Sequence, residues 1–426
     1  MKHLIRKQVI MLQLDAGQDA FAVQRQSSDY YYQCIAPALE KLFDELSSEN
    51  EITHIDRFEV DLGDLGWKDN CFTLGADAVY QIVKKTLAKT LSQSGSESAP
   101  SVFVKHSTRE ENACMHWLHY MEKGVLPWEI VTFDEKWPEH VLHQLAIDHV
   151  MISKTRALIT ANPWFLARLV REHREEFLQK LVEIITARRH PDLVEMVREL
   201  AKQFDASPVA EQIKTQQIWK SVLTQYAAGK AEINMADTAP QKNRTPAVSA
   251  IPDHQEITQE GLFCQYAGLV LLHVFFTQLF NRLHLLDNGD FRDHDCRGKA
   301  IVLLYFIATG KTAATDHELV VPKVLCGMRP EETVGDESFF LTDAEKEEGL
   351  NMMHAAIEQW EIIHNTSPEG LREGFLARNG KLQFGENGIT FRIESKSIDM
   401  LLDQLPWNLS LIKLPWLEKL IRVDWR

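Results

Sequence analysis

Residues 162–185 read NPWFLARLVREHREEFLQKLVEII, and this stretch decides the fold class. Asn162 offers a side-chain acceptor suited to a helix N-cap, and Pro163 follows at the first helical position, where a missing N–H costs nothing. Phe165, Leu166, Leu169, Phe177, Leu178, Leu181 and Ile185 then recur at helical spacing as an apolar stripe that must pack on neighbours. The same period extends from Glu110 to Ala228, so residues 110–228 are expected to form an array of helices.

Beyond the array, residues 229–260 contain Pro240, Pro246 and Pro252 and few large apolar side chains, the composition of a flexible linker. Helices are expected again over 261–364. The greasiest stretch, Leu269 to Phe280, is interrupted by His273 and Gln278 and is shorter than the ~20 residues of a membrane span, so it reads as a buried helix. Two apolar helix ends, 117–124 and 303–310, each close on a glycine. An internal duplication and coincidence both account for that echo. Residues 365–426 read as a C-terminal α+β module, with a hairpin turning at Gly385–Gly388, a short helix at 398–405 and strands at 409–414 and 420–423.

Toward the N-terminus, Phe58, Val60 and Leu62 alternate with Arg57, Glu59 and Asp61, the period of a half-buried strand over 57–62; residues 3–14 read as another strand. Helical patterns cover 19–46 and 74–91. Residues 1–91 are therefore expected to form a βαβα module, joined through a linker at 92–109 that contains SQSGSESAPS. If the two strands are neighbours, their connection should be parallel and right-handed. The expected fold class is α+β, predominantly α, with a helical middle flanked by small α/β modules.

Composition narrows the function. The 426 residues are 45% hydrophobic and 25% charged, with Lys+Arg 46 against Asp+Glu 61 and a formal net charge of -15. A chain of this length and balance buries real cores, and its acidity gives a phosphate backbone nothing to bind, so no nucleic-acid partner is expected. Six cysteines are scattered without a C-x-x-C pair, as in a reducing compartment. The first residues hold no uninterrupted apolar core, so no export signal is expected.

Catalytic motifs are incomplete. Thr309-Gly310-Lys311-Thr312 resembles the end of a phosphate-binding loop, but Tyr305 stands where that loop needs glycine. Arg292 to Cys296 gathers Asp293, His294, Asp295 and Cys296; a solvated turn with an aspartate cap opening the next helix explains it more simply than a metal-dependent hydrolase. His116/His119 and His140/His143 lack the glutamate of a zinc-protease helix. No enzyme, cofactor or metal is expected.

Leu405-Pro406-Trp407, Leu414-Pro415-Trp416 and the terminal Trp425 suggest either rigid aromatic knobs for binding or indoles of a small core. Together with residues 3–9 (HLIRKQV), 54–63 (HIDRFEVDLG), 365–376 (NTSPEGLREGFL) and 401–416, and more weakly 319–327, they carry a resemblance to the contractile injection system tape measure family. The resemblance implies a non-catalytic structural protein of a phage-tail-like particle that helps set tube and sheath length. Its partners would be inner tube, baseplate or terminator subunits, or a second copy of itself, with no membrane. It would be cytoplasmic during assembly, with retention in the finished particle left open. A soluble chaperone or loading adaptor of the same apparatus is the alternative. The partner-binding candidates are His54, Asp56, Arg57, Arg372, Phe375, Trp407, Trp416 and Trp425. A wholly helical chain would span on the order of 640 Å, which is the logic of a ruler.

Overall fold

The computed structural model describes residues 3–14, 19–47, 51–68, 71–93, 104–130, 136–202, 208–230, 261–385 and 388–425. Most of the expected linkers, at 94–103 and 231–260, thus lies outside the described residues. The chain divides into two units, Met1–Ala113 and Cys114–Arg426.

In the first unit, Asp19 caps α1 (Ala20–Tyr30) by accepting from the Phe21 amide at 3.0 Å. A π-type turn over Tyr31–Ile35 leads directly into α2 (Ala36–Leu46). These pack on α3 (Ala76–Gln93), burying Tyr30, Ile35, Ala38 and Leu42 against Val79, Tyr80, Val83 and Leu87. The strands are β1 (Glu51–Ile55), β2 (Trp67–Lys68), β3 (Cys71–Phe72) and β4 (Val104–Thr108). β1 pairs antiparallel with β4, Thr53 opposite His106, and β2 pairs antiparallel with β3.

This corrects the expected βαβα order. Residues 3–14 join no sheet among the described residues, and the ladder stops at Ile55, before the alternating 57–62. Phe58, Val60 and Leu62 do face inward, against the α1–α3 core, while Arg57, Glu59 and Asp61 are exposed. Alternation records one-sided burial; a strand also needs a ladder partner, which the pattern cannot specify. β1 finds that partner in β4, within the span expected to be linker.

The second unit begins in α4 (Arg109–Lys123) and continues with α5 (Trp137–Ile147), α6 (His149–Ala161), α7 (Pro163–Glu172), α8 (Glu175–Thr186), α9 (Leu193–Lys202) and α10 (Pro208–Ala227). Asn162 caps α7 as expected, accepting from the Trp164 and Phe165 amides at 3.0 Å each. Trp117, Phe165, Leu169, Leu178, Leu181, Val197 and Trp219 meet in one core, so each apolar stripe is covered by the next helix.

A second core lies after residue 260. A 3₁₀ segment (Ala267–Leu272) leads into α11 (His273–Arg282); the hairpin β6 (Leu286–Asp287) and β7 (Asp290–Phe291) precedes α12 (His294–Thr309), buried along most of its length. A 3₁₀ turn (Asp316–Leu319), α13 (Val320–Leu325) and α14 (Asp343–Gln359) follow, then α15 (Pro368–Leu371) with a π-type turn over Arg372–Leu376. They pack against a five-stranded sheet of β5 (Leu262–Cys264), β8 (Gly380–Gly385), β9 (Gly388–Ile393), β10 (Leu411–Ile412) and β11 (Ile421–Asp424), in the order β10-β11-β9-β8-β5. Only β11 and β9 run parallel. Residues 261–364 and 365–425 therefore share one core, with Leu262 of β5 opposite Leu382 of β8.

Candidate interaction surfaces and a buried ion network

The α7 stripe contains more than apolar residues. Arg168 and Glu172 lie three and seven residues after Phe165, on the same helix face, and Arg171 is adjacent to it. All three point at the 3₁₀ turn and α13. Asp316 is fully buried there, and its Oδ2 accepts from Arg168 Nε at 2.8 Å and Nη2 at 2.7 Å and from Lys323 Nζ at 2.8 Å. Its Oδ1 accepts from Arg171 Nη2 at 2.9 Å. The Asp316 amide donates to Glu172 Oε1 at 2.8 Å, and the Tyr120 hydroxyl donates to Glu172 Oε2 at 2.5 Å. Further N–H groups go to backbone carbonyls, Arg168 to Met121 and Glu331, Arg171 Nη1 to Val334 and Lys323 to Pro330, while the buried Arg171 Nε has no hydrogen-bond partner among the described residues.

Electrostatics decide the protonation states. Burial acts to raise the Asp316 carboxyl, but Lys323, Arg168 and Arg171 outweigh it and hold the group well below the usual carboxylate range. Burial pushes the Lys323 ammonium down to about 8, with Asp316 opposing. Burial also raises Glu172, against the pull of Arg171. His173, just past the end of α7, is pushed down to about 4 by burial; its Nε2 accepts from Trp117 Nε1 at 3.0 Å, so its proton sits on Nδ1, directed at the Leu169 carbonyl at 3.1 Å. The groups form a closed structural network joining the helical array to the second core.

Gly124, at the end of α4, takes φ +71°, and a Cβ there would lie 2.6 Å from Arg168 Nη2, 2.7 Å from the Pro330 carbonyl and 2.9 Å from Asp316 Oδ2. The glycine lets the network close. Gly310, the other half of the sequence echo, ends α12 at φ +75° with more room.

The partner-binding candidates scatter over both units. His54 is in β1 with Nε2 3.1 Å from Asn112 Oδ1, while Asp56 and Arg57 follow on the exposed coil, Arg57 paired with Glu59. Arg372 donates from Nε to the Ile307 carbonyl at 2.8 Å and lies over Phe306, neutralising carbonyls at the α12 C-terminus. Phe375 is buried against Trp360. The indole N–H groups serve the fold: Trp407 donates to the Leu271 carbonyl and Trp416 to the Leu325 carbonyl, each at 2.8 Å, and Trp425 to Asp399 Oδ2 at 3.2 Å. Trp425 is buried, and Trp407 and Trp416 are half-buried against Phe275 and against Phe280 and Phe291.

The chemical near-misses resolve into caps. Asp293 accepts from the Cys296 amide at 2.7 Å and starts α12. Thr309-Gly310-Lys311 lies at the C-terminal end of that helix, which presents carbonyls to a ligand, the wrong polarity for phosphate. Among the described residues no group of three or more His, Cys, Asp or Glu side chains is placed to hold a metal, and no helix is long and apolar enough to cross a membrane.

Searches of curated proteins and of solved structures return no match. A family model described as contractile injection system tape measure protein, however, matches residues 2–425. That span takes in both units and every motif that carried the resemblance, and on it the chain belongs to the contractile injection system tape measure protein family.

Proposed function

We propose that this structural protein is a non-catalytic assembly factor of the injection apparatus that works as a folded body, engaging tube, baseplate or terminator subunits. Family membership implies protein partners within that apparatus. The observation that carries the folded-body reading is the interlock of residues 114–227 with the core after residue 260 through buried Asp316, Arg168, Arg171 and Lys323. In that state residue count does not translate into axial length: the longest helix of the array, α10, has 20 residues and spans roughly 30 Å.

On this reading, His54, Asp56 and Arg57 contact partners directly. Arg372, Phe375, Trp407, Trp416 and Trp425 shape the partner surface from beneath. Residence in the finished particle and transient action as a loading adaptor are separated by mass spectrometry of purified particles, through stoichiometric presence or absence of the chain.

A second reading, an extended ruler, is favoured by the family description itself. Inserting about 40 helix-forming residues within 231–260 distinguishes the two. A folded assembly factor leaves particle length unchanged at normal yield; a ruler lengthens particles by about 60 Å at helical rise.

A further inference from the structure

In the first unit, residues 3–14 carry a run of large apolar side chains from Leu4 to Leu14, all substantially exposed, with Val9 at 66% and Met11 at 90%. Exposed apolar side chains gathered in one segment mark an interaction site. In an extended chain Leu4, Ile10 and Leu12 would lie on one side and Ile5, Val9 and Met11 on the other, the composition of a strand covered on both faces. No strand among the described residues pairs with it.

A second segment of the same unit, 57–62, also belongs to no ladder, and its Phe58, Val60 and Leu62 line the α1–α3 core. The two segments are complementary in charge. The first carries Arg6 and Lys7 and no acid; the second carries Glu59 and Asp61, preceded by Asp56, against the single cation Arg57.

We propose that residues 4–14 of one copy add as a strand along residues 57–62 of a second copy, and reciprocally, giving a two-fold symmetric dimer. Strand addition supplies main-chain hydrogen bonds that neither segment has as a ladder, and opposite charge fixes which edges meet. A second copy fits better than the chain's own 57–62. One side of the added strand continues the Phe58–Leu62 face onto the helices, but its other apolar side stays open in a single chain. Reciprocal exchange brings two such sides together and closes a symmetric interface.

The test uses the full-length chain in light scattering across a concentration series. A dimer is expected, and Val9→Lys with Met11→Lys should raise its dissociation constant by ~100-fold or more with circular dichroism and thermal midpoint unchanged. Lys7→Glu should weaken it by ~10-fold, and adding Asp61→Lys should restore most of the loss. A monomer at every concentration up to the solubility limit would overturn the proposal. So would a dimer indifferent to these substitutions, or a Val9→Cys, Glu59→Cys disulfide that forms only within single chains.

Discussion

Replacing Asp316 with asparagine preserves size and removes the one carboxylate that three cations share. In the native network Arg168, Arg171 and Lys323 face Asp316 and Glu172, a net charge of +1 with all five ionised; after the change four ionised groups carry +2 in the same buried space. Removing one partner of a buried ion pair costs about 3–5 kcal/mol. One relief valve is available. Lys323, already pushed down to about 8 by burial, can lose its proton, which limits its share of the penalty. The arginines have no such escape. The expected loss is therefore about 3–4 kcal/mol, read by urea unfolding through tryptophan fluorescence, since nine of the ten tryptophans lie after Ala113. At a slope of about 3 kcal/mol/M the midpoint falls by roughly 1 M. Adding Lys323→Met should return part of the loss by removing a stranded cation. A cost under about 1 kcal/mol for Asp316→Asn would refute the claim that this network locks the two cores.

Gly124→Ala should cost more than about 2 kcal/mol, combining a left-handed backbone with contacts of 2.6–2.9 Å to the network, while Gly310→Ala, whose nearest neighbour is Arg372 at 3.5 Å, should cost about 1 kcal/mol; thermal midpoints rank the pair. His173 makes stability fall under acid. The unfolded chain takes up a proton near the ordinary histidine range of ~6.5, whereas the folded ring stays neutral to about 4, so stability is lost progressively between those values, by about 3 kcal/mol in all. His173→Gln should flatten that part of the pH–stability curve. Trp416→Phe leaves the Leu325 carbonyl without its indole donor and should cost about 1–2 kcal/mol in urea titrations, with particle yield retained at low temperature if Trp416 acts by shaping the surface.

The helical fold was legible because its signals are local. The Asn162 cap, the α7–α8 stripe, the Asp293 cap and the β8–β9 hairpin each depend on residues a few positions apart, and each appears where the pattern places it. Strand pairing was not legible in the same way. The Thr53↔His106 partnership joins residues far apart in sequence, and alternation at 57–62 reports only which side faces the helices. The ion network left a signal that was easy to pass over: Arg168 and Glu172 fall on the apolar stripe of α7, and Lys323 stands inside the apolar run 319–325. A cation at a position reserved for core implies a buried anion elsewhere, though only the tertiary fold reveals that it is Asp316. The tryptophans show the converse: a motif conspicuous in sequence turns out to hold its indole N–H groups on internal acceptors.

The central claim, action as a folded body, is tested most directly by pinning the fold shut. Lys220 of α10 pairs with Asp336 of the second core at 2.5 Å, so cysteines at these two positions can be joined by a short, cleavable thiol-reactive bridge. Electron microscopy of particles assembled with the bridged chain should show normal yield and length, the same as after the bridge is cleaved. Loss of particles with the bridged chain, restored on cleavage, would contradict the account and show that the helical array must come away from its core to work.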